Sequence, residues 1–198
     1  ILSQLQYDIN NKTIIDAGAY IGDTSIFLAH NNPNQLVYAI EPSKKNSNFI
    51  KQVKKLNNLD NLKVLSYLLS DNIANYIVKN LNKPNASYIA NEDKINNSIE
   101  SITIDYLVEN NIIKGDIGLL HFDVEGMELT VLKGSFNTIN KFKPVIVVET
   151  LGRCQKTIDL HNYLVQLKYY KKLTVDEKCA IFDVNDKVFC RNHIYLPL

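Results

Sequence analysis

Thr13-Ile14-Ile15-Asp16-Ala17-Gly18-Ala19-Tyr20-Ile21-Gly22-Asp23-Thr24 is a short apolar run that ends in an acid, turns over two glycines and enters a helix carrying Ile26, Phe27 and Leu28. Gly18 and Gly22 suit a tight strand-to-helix turn, where a residue without Cβ lets a ligand approach the backbone. The spacing is D-x-G-x-x-x-G and not the G-x-G-x-x-G that seats a dinucleotide pyrophosphate. An acid at Asp16 would repel a phosphate, whereas it would attract the ammonium group of an amino acid. A Rossmann-type dehydrogenase or epimerase is therefore disfavoured. An ordinary βα turn with two glycines stays open on these residues alone.

The next apolar run, Leu36-Val37-Tyr38-Ala39-Ile40-Glu41-Pro42, also ends in an acid, 25 residues after Asp16. In a doubly wound sheet the first two strands lie side by side, so Glu41 shares the carboxyl edge with the glycine turn and can accept the hydroxyls of a ribose. Two acids and a glycine turn frame a cationic amino acid joined to a nucleoside, which describes S-adenosylmethionine.

The D-A-G-A-Y-I-G-D-T turn and the A-I-E-P strand end resemble the class I S-adenosylmethionine-dependent methyltransferases. Two later pieces, S-I-T-I-D-Y-L at Ser101 to Leu107 and L-L-H-F-D-V-E-G-M-E-L-T-V-L-K-G at Leu119 to Gly134, followed by P-V-I-V-V-E, resemble the FkbM-type methyltransferases. The resemblance runs from about Thr13 to Thr150. It implies an α/β fold: a doubly wound, mostly parallel Rossmann-like sheet closed by a C-terminal antiparallel hairpin. It also implies O-methylation of sugars, glycolipids or polyketides. The cofactor contacts it implies run along the turn at Asp16, Gly18, Ala19, Tyr20, Gly22, Asp23 and Thr24, and continue at Glu41, Pro42, Ser70, Asp71 and Asp123. His121 departs from the pattern, since the family usually carries lysine there.

In chain order, helices are expected over Gly22 to His30 and after Ser43, the latter with Phe49, Ile50, Val53 and Leu56 as its apolar stripe. A third strand is expected over Leu62 to Leu69, ending in Ser70-Asp71. By position this pair would flank the adenine, and a turn-forming Ser-Asp pair is the alternative. Ala74 to Val78 and Ala86 to Ala90 suggest a hairpin, followed by a polar loop. Asp105 is expected to cap a helix over Tyr106 to Asn111. Ile117 to Asp123 reads as a buried central strand. Glu125 and Glu128 then open one helix striped by Leu129, Leu132, Phe136 and Ile139, where acids favour the helix dipole. After the strand Pro144 to Glu149 and a helix over Gln155 to Lys168, the chain should end in strands Tyr169 to Val175, Cys179 to Val184 and Lys187 to Tyr195. Asn185-Asp186 would turn the last two into a hairpin.

Asp16, Glu41, Asp71, Asp123 and Glu149 thus sit at successive strand ends, where open α/β sheets bind ligands. Transfer of a methyl group to a sugar hydroxyl needs a base for the departing proton. Asp123 is the first candidate, Glu125 the second and His121 the third, with Glu125 and Glu149 toward the acceptor. Carboxylates at Asp123 and Glu149 would suit Mg²⁺, but Thr150-Leu151-Gly152 brings no further Asx ligand, so no metal is expected.

At 198 residues the chain is long enough for one domain with a full core, and 45% hydrophobic with 22% charged residues is an ordinary globular balance. A net charge of +1 argues against a nucleic-acid binder. No apolar run approaches the length of a membrane span. Cys154, Cys179 and Cys190 cannot all pair and match no zinc spacing, so reduced thiols and a cytoplasmic location are expected. Beginning at Ile1, the domain is expected to be part of a longer polypeptide, in which a glycosyltransferase or another glycan-processing domain would be a fitting neighbour. A cofactor-binding module that needs a partner domain, or that acts on a non-sugar acceptor, is the alternative.

Overall fold

The computed structural model describes residues 8–79, 87–90, 98–150, 155–175, 181–183 and 192–198. The quoted run forms β1 (Thr13–Ala17), buried at all five positions. An interior strand covered on both faces has to be apolar nearly throughout. β1 pairs in parallel with β2 (Val37–Ile40) on one side and β8 (Ile117–Phe122) on the other, and the ladder continues from β2 to β3 (Leu62–Leu65) and from β8 to β9 (Val145–Glu149), all parallel.

Successive side chains point to opposite faces of the sheet, and two cores follow. Ile14, Val37, Ala39 and Leu119 pack with Ala29 of α1 (Asp23–Asn31) and Ile50 of α2 (Lys44–Leu56). Ile15, Tyr38, Ile40, Leu120 and Phe122 pack on the other face. There they meet Leu107 of α3 (Ile104–Glu109), Val131 of α4 (Glu128–Lys133), Ile139 of α5 (Phe136–Phe142) and Leu164 of α6 (Gln155–Gln166). No helix among the described residues is long and apolar enough to cross a membrane.

The expected third strand is two strands in two sheets. The parallel ladder stops where Glu41 N–H donates to the Leu65 carbonyl, and the Ser66 hydroxyl ties to Ser47 of α2 at 2.8 Å. The chain then crosses into β4 (Leu68–Leu69), which pairs with β7 (Ser98–Ile102). β7 also pairs with β5 (Asn75–Lys79), which pairs with β6 (Ser87–Ala90), giving a second sheet of order β4-β7-β5-β6. The expected hairpin is the β5–β6 pair.

The helix expected from Glu125 starts at Glu128 and breaks at Gly134-Ser135 into α4 and α5. A Cβ on Gly134 would stand 2.0 Å from the Ser70 carbonyl oxygen, so the main body presses on the small sheet at this break. Thr103, and not Asp105, caps α3 by accepting from Tyr106 N–H. Asp105 reaches across to the start of α5 instead, accepting from the backbone of Asn137 and Thr138. The α2 stripe is narrower than its spacing implied, for Phe49 and Leu56 are exposed while Ile50 is buried.

The C-terminal strands also rearrange. β12 (Asn192–Pro197) does not form a hairpin with β11 (Ile181–Asp183). It inserts antiparallel between β9 and β10 (Tyr169–Val175), and β11 pairs with the far side of β10. Its run from His193 to Leu196 is buried at every position, which an interior place in the sheet provides. The three cysteines and the Asn185-Asp186 turn lie outside the described residues.

Candidate active site

The parallel register places Asp16 of β1 directly beside His121 of β8. Asp16 is 1% exposed. Its Oδ1 meets His121 Nδ1 at 2.7 Å, and its Oδ2 accepts from the Ser25 hydroxyl, one turn into α1. Burial alone would push the His121 imidazole down. The bond to Asp16, with the charges of Asp16, Asp123 and Glu149, outweighs burial and holds the imidazole above its usual value. Asp16 therefore fixes the imidazole and favours its protonated form before any ligand arrives.

Beyond β1 the chain turns through Gly18, with φ of 85°. An added Cβ there would lie 1.8 Å from the Asp123 carbonyl oxygen, so glycine is required by the turn after β8 in addition to any ligand. Gly22, expected at the cofactor, is excluded from bearing a Cβ by Ile50 of α2 at 2.9 Å. Tyr20 is half-exposed with φ of 47°, and its N–H donates to Glu41 Oε2 at 3.0 Å. Glu41 Oε1 accepts from Ser43 N–H at 2.9 Å and from the Asn46 side chain at 3.3 Å. Burial lifts the Glu41 carboxyl above its usual range despite these donors, and the Asp16 charge adds to the lift. A carboxylate offers about four lone-pair sites. Three donors leave it room for one further hydroxyl where two were expected.

Asp123 follows β8, its N–H held by the Ala17 carbonyl at 3.0 Å. Burial raises its carboxyl first, then the charges of Glu149 and Glu125, against the opposing pull of His121, and together they bring it up to about 7. Glu149 ends β9, and Asn192 of β12 stands opposite it in the antiparallel register.

These elements enclose a cavity of about 380 Å³, within the range of small-molecule sites. The β1–α1 turn lends Gly18, Ala19, Tyr20, Asp23 and Thr24 to its lining. Asp16 and His121 join them, and Asp123, Glu149 and Asn192 come from the other side of the sheet. No lysine or arginine lines it among the described residues. Of the other expected site residues, Glu41 supports the lining through Tyr20, while Pro42 and Gly22 do not line the cavity. Ser70 is fully buried beside Tyr76 of the small sheet and Asp71 is exposed beyond it, because the break after β3 carries them off the main sheet edge. Neither lines the cavity. Glu125 is exposed, in a left-handed conformation with φ of 50°. Ser25, Asn192 and Glu128 were not singled out for the site by sequence. Ser25 had a signal in its place one helical turn beyond the glycines.

A family model described as the methyltransferase FkbM domain matches residues 16–170. The chain belongs to this family. It is an S-adenosylmethionine-dependent methyltransferase domain. The crystal structure of methyltransferase FkbM from Methylobacillus flagellatus superposes with a TM-score of 0.64 at 21% identity, over 94% of this chain and 44% of that one. Precorrin-6y C5,15-methyltransferase from Geobacter metallireducens superposes with a TM-score of 0.57 at 12% identity, over 100% of this chain and 85% of that one. These likenesses establish the methyltransferase fold. In sequence, the ribosomal RNA small subunit methyltransferase G of Borreliella burgdorferi is 37% identical over 60 residues, 30% of this chain and 29% of that protein. The FkbM domain thus spans less than half of the FkbM structure and under a third of this relative.

The cavity suits the family's cofactor. Its lining is acidic and holds no lysine or arginine among the described residues, and the crowding of Asp123 by Glu149 and Glu125 is what a ligand bearing positive charge would relieve.

Proposed function

We propose that this FkbM domain methylates a hydroxyl oxygen of a sugar or glycan, with no divalent metal. The observation that carries the reading is Asp123, a cavity carboxyl brought up to about 7 at the edge of an acidic pocket. A general base works best when its pKa lies near the working pH. S-adenosylmethionine, when bound, supplies a methyl group already activated on sulfonium sulfur. That group would pass to the acceptor oxygen, with the electron pair of the carbon–sulfur bond left on sulfur. Asp123 takes the hydroxyl proton as the new bond forms. Gly18 and Ala19 let the cofactor lie close to the turn, Asp16 acts through His121, and Glu41 accepts one ribose hydroxyl. Glu149 and Glu125 hold neighbouring hydroxyls of the acceptor, and polyhydroxylated acceptors suit such a row of carboxylates. His121 is engaged through Nδ1 by Asp16 and stands a step deeper, so Asp123 comes before it as the base.

Methyl transfer to a panel of glycosides, assayed with and without chelator, tests the reading. Asp123→Asn is expected to keep the fold and S-adenosylhomocysteine affinity while losing at least about a hundredfold in turnover. Near-parental turnover by that variant, with Glu125→Gln or His121→Ala inactive, would reassign the base. Loss of activity with chelator and recovery with Mg²⁺ would overturn the metal-free reading.

A second reading is favoured by the 44% coverage of the FkbM structure: the domain holds the cofactor while further chain presents the acceptor. Turnover of free glycan by the isolated 198-residue chain would decide against it.

A further inference from the structure

Between Asp123 and α4 the chain makes one tight turn. Met127 N–H donates to the Val124 carbonyl at 3.3 Å, and the two residues between them, Glu125 and Gly126, have φ of 50° and 92°. Left-handed φ at both central positions is the signature of a type I′ turn, which favours glycine, asparagine and aspartate. Gly126 meets that demand, whereas Glu125 is strained by it. The turn cannot relax toward β1, because the Asp123 carbonyl already stands where a Cβ of Gly18 would be.

Glu128, the first residue of α4, bears on this turn. It is 9% exposed, and its Oε1 accepts from Gly126 N–H at 2.8 Å. An acid in the first turn of a helix is ordinarily a solvated partner of the dipole. That role explains neither the burial nor the bond two residues back. Nor does charge favour the placement, since Glu128 adds a further negative group near Asp123. What the side chain supplies is an oxygen at the right reach.

We propose that Glu128 is a positioning residue: by accepting the Gly126 N–H it holds the left-handed Glu125-Gly126 turn, and so sets Asp123 against the cavity. Its function depends on the acceptor oxygen and not on the charge. The proposal builds on Asp123 as the base, but the hydrogen bond is tested without an acceptor substrate.

The experiment is amide hydrogen exchange and carboxyl titration by nuclear magnetic resonance on the labelled chain, with S-adenosylhomocysteine as the binding probe. Glu128→Gln keeps an oxygen in place and removes the charge, and Glu128→Ala removes both. In the glutamine variant, Gly126 exchange should stay within about threefold of the parent, and the Asp123 titration should move down because one negative neighbour is gone. In the alanine variant, Gly126 exchange should accelerate at least about tenfold while β1 and β8 amides keep their protection. Asp123 should fall further there, as water reaches it, with S-adenosylhomocysteine affinity within about twofold. Equal exchange in the two variants, or parental exchange in the alanine variant, overturns the proposal. If the alanine variant does not fold, Glu128→Asp takes its place. It keeps the charge one methylene short of the amide and should lose Gly126 protection, and parental protection would overturn the proposal. Failure of Asp123 as the base would appear in turnover alone and leave these exchange results as they are.

Discussion

At the scale of single residues the site is an electrostatic device assembled from acids. Asp123 has an ordinary carboxyl value of 3.8 and stands at about 7 in the fold, chiefly through burial and then through Glu149 and Glu125. For an acid raised in this way, the folded state binds a proton that the unfolded chain has released. The associated stability is fully present below about pH 4 and disappears as pH rises through about 7. A bound cation reverses the balance by favouring the carboxylate. S-adenosylmethionine differs from S-adenosylhomocysteine by a methyl group and the positive charge on sulfur. Calorimetry at pH 6 and pH 8 should therefore show the preference for the charged form growing with pH, and Asp123→Asn should flatten the trend. An unchanged ratio at the two pH values would mean that Asp123 does not face the sulfur. The acids themselves were legible in sequence, each closing an apolar run. Their partners were not: that Asp16 engages His121 follows from strand register, and a slip of one residue would have turned His121 to the other face.

At the scale of elements, two glycines join turns that come from distant parts of the chain. Gly18 has a left-handed φ, and its missing Cβ makes room for the Asp123 carbonyl. Gly18→Ala adds backbone strain of about 1–2 kcal/mol to steric displacement of about 1–3 kcal/mol. It should also move both turns that line the cavity. Gly134 has φ of −71° and lacks the backbone term, so Gly134→Ala should cost about 1–3 kcal/mol. Denaturant unfolding and S-adenosylhomocysteine titration separate the two. The Gly18 variant should lose both stability and affinity, whereas the Gly134 variant should lose stability and bind normally. Normal binding by a folded Gly18→Ala would show that the cavity tolerates displaced turns. The same contacts explain where the reading of elements from sequence succeeded and failed. β1, β2, β8 and β9 are apolar runs bounded by turns, and their positions are plain. Leu62 to Leu69 reads as one run of the same kind, and its division between two sheets is set by the Ser66–Ser47 tie and the pairing of β4 with β7. The break between α4 and α5 is fixed likewise by contact with Ser70, which no local pattern encodes.

At the scale of the whole molecule, the cavity lining gathers at one edge of the sheet, and β12, entering between β9 and β10, adds Asn192 to it. The doubly wound architecture was legible from alternating strands and helices. The order of the last three strands was not, because hairpin formation is the local choice and insertion is a long-range one. The inserted strand has a consequence for how the protein breathes. Among the described residues, β10 and β11 are joined to the rest of the main sheet only through β12. When β12 detaches, the hydrogen-bonded continuity of all three strands is lost at once, so they should open as a single cooperative unit in native-state exchange. Amides of β10 and β12 should then share one opening free energy, below that of β1 and β8. Asn192 belongs to this unit and to the cavity lining, so a ligand that binds only the closed form should slow the exchange of β10 and β12 in proportion to its concentration over its dissociation constant. Independent exchange of β10 and β12 would show that packing of α6 against β10 holds that strand in place without its neighbour. If they open together, cofactor occupancy governs how long the far edge of the sheet stays zipped.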